Sequence, residues 1–155
     1  MSTLHAVKAV TCSLAIALTI TAGTALAESQ PEDIIKYRQN VMKSIGGHMS
    51  ASGAIVQGKV GYKAHLSEHA KALAAMSKDI AGLFPKDSDF GDTKALDAVW
   101  KKRADFEKVA KDAGSKAAAF AKAAAGNDPA AARSAFMALG DACKACHKDF
   151  RKEEK

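Results

Sequence analysis

The sequence predicts an all-α protein folded as an antiparallel up-down four-helix bundle. Three observations carry that reading: apolar residues recur at three- and four-residue steps along most of the chain, alanine is abundant, and Gly, Asn and Pro cluster at only three breaks. Each predicted helix has a single apolar stripe, so each has one face to bury. Short connections make antiparallel neighbours the economical packing.

The first helix opens at Pro31-Glu32-Asp33, with proline in the first turn and acids where the helix dipole favours them. Its stripe runs Ile34, Val41, Met42, Ile45, Met49, Ile55 and Val56. Gly46-Gly47 and Gly53 weaken it, so a kink or early end is expected there, and Gly58 to Gly61 forms the first break. The second helix carries Leu66, Ala70, Leu73, Met76 and Ile80 and is expected to stop at Gly82. Pro85 to Gly91 reads as a polar loop. The third is expected to start near Asp92 or Thr93, to carry Leu96, Val99, Trp100, Phe106, Val109 and Ala113, to bend at Gly114 and to end at Gly126. Asn127-Asp128-Pro129 restarts the chain with a capping acid and a proline at the first position. The fourth helix places Ala132, Phe136, Leu139, Cys143, Cys146 and Phe150 on one face. Trp100 and Phe106 read as core, with contact to a cofactor held by the C-terminal cysteines as the second reading.

The chain has 155 residues, enough for one domain. Residues 1–27 read as a cleaved secretory signal peptide: Lys8, an apolar stretch from Ala9 to Ile20, then small residues ending Ala25-Leu26-Ala27. The apolar stretch is shorter than the ~20 residues of a membrane span, so no span is expected after cleavage. The domain would occupy 28–155. Removal of Lys8 lowers the net charge from +6 to about +5, and removal of Cys12 leaves Cys143 and Cys146. Two cysteines three residues apart are not a disulfide framework. Lysines are interleaved with acids rather than gathered in a patch, and the chain is exported, so nucleic acid is not expected as a partner. The modest positive charge reads first as a solvated surface and second as a docking face for an acidic redox protein.

Cys143-Lys144-Ala145-Cys146-His147 is the C-x-x-C-H pattern of covalent haem attachment. Residues three and four apart share a helix face. Both thiols can therefore reach the two vinyl groups of one haem c, and His147 can present an imidazole nitrogen to its iron. Zinc would need further ligands at suitable spacing, whereas His48, His65 and His69 lie on other segments. A thioredoxin-like redox pair would follow a strand, and none is predicted.

The C-terminal C-x-x-C-H on the last helix of a bundle resembles the class II cytochromes c, the cytochrome c′ family. The likeness extends to Pro31-Glu32-Asp33, Lys36-Tyr37-Arg38-Gln39, Trp100 and the run from Cys143 to Arg151. It implies a periplasmic protein of a Gram-negative bacterium; family members often dimerise through the first two helices, and the residues leave monomer and homodimer both open for this chain. It also implies haem propionates held at the positions of Arg38 and Gln39. Arg38 could pair bidentately with a carboxylate or lie at the surface. Arg151, one turn past His147, suits either the proximal imidazole or the helix dipole.

The second axial position of the iron decides the task. Met42 is the candidate. It lies 11 residues past Pro31, about 16 Å along the first helix at 1.5 Å per residue. His147 lies eight residues from the chain end, so the two depths overlap; His48 and Met49 are alternatives, and Met42 could instead fill core space. In the family, a bulky aliphatic or aromatic residue at this position accompanies a five-coordinate iron, and a methionine is similar to the low-spin, Met-ligated branch. The expectation is an electron-transfer cytochrome with His147 and Met42 as axial ligands, and not an enzyme. The alternative is a five-coordinate protein binding nitric oxide or carbon monoxide.

Overall fold

The computed structural model describes residues 30–153; the expected signal peptide lies outside them. Four long helices make the bundle: α1 (Pro31–Val56), α2 (Lys63–Met76), α4 (Arg103–Ala124) and α5 (Pro129–Phe150), with a four-residue helix, α3 (Ala98–Lys101), before α4. They pack in a ring, α1 on α2, α2 on α4, α4 on α5, and α5 back on α1, the last being the loosest side.

Helix α1 runs through Gly46-Gly47 without an end. Each mid-helix glycine costs about 1 kcal/mol against alanine, but Ile45 and Met49 on either side are held against the core. The helix finishes at Gly58, whose φ of 70° a side chain would resist. The Gly58 amide donates to Ile55 O and the Lys59 amide to Ala54 O, a Schellman closure. At the start of α5 the Asp128 carboxylate accepts from the amides of Ala130 and Ala131 at 2.9 and 3.2 Å, with Pro129 next. The predicted restart is built as expected.

Two boundaries differ from expectation. Helix α2 ends at Met76, not Gly82; a 3₁₀ turn over Ala81–Leu83 follows. Residues 84–97 do not begin a helix at Asp92 or Thr93. Local capping is outcompeted there by long-range bonds: the Leu96 amide donates to Phe150 O and the Lys152 amide to Lys94 O, so Ala95 pairs with Arg151 in an antiparallel bridge. Helix α4 also runs through Gly114 unbroken. That glycine serves close approach, since a Cβ on it would sit 2.7 Å from the carbonyl oxygen of Ser77, where α2 has just ended.

The core has two parts. One joins Ala70 and Leu73 of α2, Ala117 and Phe120 of α4, and Leu139 of α5, with Ile45, Met49, Phe136 and Cys143 against it. The other joins Val99, Phe106 and Phe150, with Phe84, Trp100 and Cys146 against it. Trp100 and Phe106 are core residues, as expected. The rings of Phe84, Phe106 and Phe150 meet edge to face, at centroid distances of 5.0 and 5.2 Å.

Gly114→Ala should lower the melting temperature through a steric cost of about 1–3 kcal/mol. Asp128→Ala, which removes only a cap, should cost about 1 kcal/mol. Thermal unfolding of both variants checks the order.

Candidate haem site

Helix α5 brings Cys143, Cys146 and His147 within one turn of each other near its C-terminal end. Both cysteines are free and half-buried. Cys143 packs against the first core cluster and Cys146 against the second, so the pair bridges the two. Burial raises the pKa of both thiols. Cys146 is pushed up to about 11, by desolvation first and then by the neighbouring Cys143 and Asp149. A catalytic thiol–disulfide pair needs the opposite, a thiolate stabilised near neutral pH. The imidazole of His147, on an exposed residue, has a lowered pKa through partial desolvation and then the charge of Arg151. A neutral imidazole is the form that ligates a metal. Inert, inward-leaning thiols beside a neutral histidine fit covalent haem c.

Two contacts set how α1 lies along α5. Phe136 Cζ is 3.4 Å from where a Cβ on Gly53 would sit, and Met49 Cε is 3.9 Å from the corresponding point on Gly140. The helices run antiparallel, so four residues back along α1 match four forward along α5. Seven more from Met49 lead to Met42, and seven more from Gly140 lead to His147. The register therefore sets Met42 and His147 at the same level of the loosest seam of the bundle. Met42 is half-buried and is not among the side chains packed on either core cluster. The alternatives sit elsewhere: Met49 is packed in the first cluster, and His48 turns to α2, where its Nδ1 lies 2.9 Å from Nδ1 of His69.

Arg38 is not at the surface; it is 2% exposed. Its guanidinium donates from Nη1 to Ser88 Oγ at 2.8 Å and from Nη2 to Ser88 O at 2.7 Å and Thr93 Oγ1 at 2.9 Å. It also lies 4.8 Å from the centre of the Phe84 ring and 5.5 Å from that of Trp100. Burial lowers its pKa, partly opposed by the charge of Asp89. Gln39 donates to Asp92 O at 2.6 Å. Arg38 and Gln39 thus draw residues 84–97 towards the end of the bundle where Met42 and His147 share a level. The same loop is held by Arg103, whose guanidinium donates to Phe84 O and Ala81 O, and by Trp100 Nε1 donating to Pro85 O. The roles of Ser88, Thr93 and Arg103 in holding this loop were not read from sequence, because the bonds that Arg38 makes to Ser88 and Thr93 and that Arg103 makes to Phe84 span 19 to 55 residues.

Residues 33–151 match the family model described as Cytochrome C′. The chain belongs to the cytochrome c′ family. A cytochrome c′ of Pararhodospirillum photometricum is 36% identical over 124 residues, covering 79% of this chain and 99% of that protein. Among solved structures, cytochrome c prime from Shewanella frigidimarina superposes with a TM-score of 0.77 at 35% identity, covering 81% of this chain and 99% of that one. The nitric oxide complex of a cytochrome c prime variant from Alcaligenes xylosoxidans superposes with a TM-score of 0.75 at 26% identity, covering 82% and 99%. Cytochromes c′ carry covalent haem c on a four-helix bundle, and both expectations for this chain, bundle and cofactor, are met. Among the described residues no helix is long and apolar enough to cross a membrane.

Arg38→Leu would strip three hydrogen bonds and leave Ser88 and Thr93 without their donor. A loss of about 2–4 kcal/mol in unfolding free energy is expected. Proteolysis of the 84–97 loop should accelerate in the same variant.

Proposed function

We propose that this cytochrome c′ is an exported haem protein that binds nitric oxide or carbon monoxide, rather than one that turns over a substrate. A haem c held by Cys143, Cys146 and His147 supplies an iron whose second face can take a diatomic ligand. The register of α1 on α5 brings Met42 to the level of His147, and the likeness to cytochromes c′, one of them solved with nitric oxide bound, is the observation that carries the reading. In that place Met42 crowds the ligand face and makes it apolar, which favours a small neutral ligand over water or an anion. The nitric oxide complex of the Alcaligenes xylosoxidans relative supports the same use of the fold.

Arg38 and Gln39 are assigned to the propionate edge of the haem, at the end closed by the 84–97 loop. Arg38 already makes three bonds to neutral oxygens, and a nearby carboxylate would balance its buried charge. The signal peptide read from residues 1–27 supports a periplasmic location.

The second reading is the one expected from sequence, a periplasmic electron carrier with Met42 on the iron. The same register favours it, since a thioether opposite His147 is within reach of a ligand role. The comparisons shift the weight away from it.

A visible spectrum of the oxidised holoprotein separates the two. The five-coordinate reading expects a high-spin spectrum, carbon monoxide binding on reduction, and about tenfold tighter binding in Met42→Ala, a gain of about 1.4 kcal/mol. A low-spin spectrum that becomes high-spin only in Met42→Ala would establish the electron carrier instead.

A further inference from the structure

The face of α1 turned away from the haem carries a second group of ligating side chains. His48 on α1 and His69 on α2 are both half-buried, and their Nδ1 atoms lie 2.9 Å apart. Their rings are tilted, with centroids 5.1 Å apart. His65 stands one turn before His69 on the same face of α2, its ring edge-on to His69 at 6.5 Å. It is exposed and stacked on Tyr62 at 5.5 Å. The acid beside this group is committed elsewhere, since Glu68 pairs with Lys71 at 2.8 Å.

We infer that His48, His69 and His65 form a binding site for a divalent transition metal of the zinc or copper type, separate from the haem. Imidazole nitrogens bind such ions at about 2.0–2.1 Å, so two ligands of one ion stand about 2.9–3.4 Å apart. The separation of the two Nδ1 atoms falls in that span. Without a metal, one ring must donate its proton to the other, and the pair cannot hold two protons at this distance. With a metal, both nitrogens use their lone pairs. Desolvation, then the charges of His48 and His65, lower the pKa of His69 and favour the ligating form. Among the described residues no three ligands are already gathered round one point. The third comes from His65, which reaches the pair by rotating off Tyr62; its spacing of four from His69 keeps it on the same helix face. Water completes the shell, and an all-nitrogen set selects zinc or copper over calcium or magnesium.

Calorimetric titration of the holoprotein with Zn²⁺ at neutral pH should show one ion per chain. His48→Ala and His69→Ala should each weaken binding by at least about tenfold, and binding should weaken on acidification, as protons compete with the metal for the imidazole nitrogens. The haem spectrum should not move in any variant, which keeps this test apart from that of the haem reading. Cu²⁺ added to the wild type should give an electron paramagnetic resonance signal with coupling from at least two imidazole nitrogens, a readout that needs no variant to fold. Absence of Zn²⁺ binding to the wild type, unchanged affinity in the His48→Ala,His69→Ala double variant, or an oxygen-only copper signal would each overturn the assignment.

Discussion

The antiparallel seam between α1 and α5 is the constraint on which the rest of the molecule depends. This is the loosest of the four sides of the bundle, and Gly53 against Phe136 and Met49 against Gly140 are two close approaches across it. A glycine on each helix lets the opposing side chain seat without forcing the helices apart. Beyond that point the seam continues to Met42 and His147 without a comparable glycine contact. Both cysteines stand on the inner side of α5 here, each against a different half of the core. A planar cofactor entering this seam would extend the apolar core instead of displacing a packed part of it.

Residues 84–97 are held at this end of the bundle, and the device that holds them is electrostatic. A guanidinium taken out of water is costly unless its donors are satisfied. Arg38 meets that requirement with oxygens from residues 88 and 93 and with the faces of Phe84 and Trp100. The satisfied charge fixes the loop, and the loop in turn bonds to the end of α5 through Lys94 and Leu96. One buried cation on the first helix is thereby connected, through an irregular segment, to the residues that follow His147. Loss of that cation would loosen the haem end of the bundle even with Cys143, Cys146 and His147 untouched.

Much of this was legible in the sequence because the deciding interactions were local. Helical stripes, the Asp128-Pro129 start, the Gly58 stop and the Cys143-to-His147 motif are all set by residues within a turn or two of each other. What the sequence hid was long-range. Thr93 looks like a helix cap, yet its hydroxyl is taken by Arg38 and by the Ala95 amide, so no helix starts there. Gly114 looks like a bend, and only the proximity of Ser77 explains it. Arg38 reads as surface or propionate ligand, since no periodicity marks a charge destined for burial. His48 falls next to Met49 in sequence, which made it a candidate iron ligand, although the fold gives the two residues different neighbours.

That separation follows from helix geometry. At 3.6 residues per turn, Met42 and Met49 are seven residues apart and project within about 20° of each other, whereas His48 lies roughly 120° from Met42. The Met stripe therefore faces α5 and the histidine faces α2, and no rotation of the helix can present both to one partner. A single helix can serve two ligand sites only if their residues obey this division, and α1 obeys it. The two sites then share a rigid backbone but no side chain. Coupling between them would have to pass through a shift of α1 as a body, and Gly53 against Phe136 together with the buried Arg38 pins α1 on both sides of the haem level. The bundle thus favours two sites that act independently, with the haem site set by α1 on α5 and the histidine site by α1 on α2.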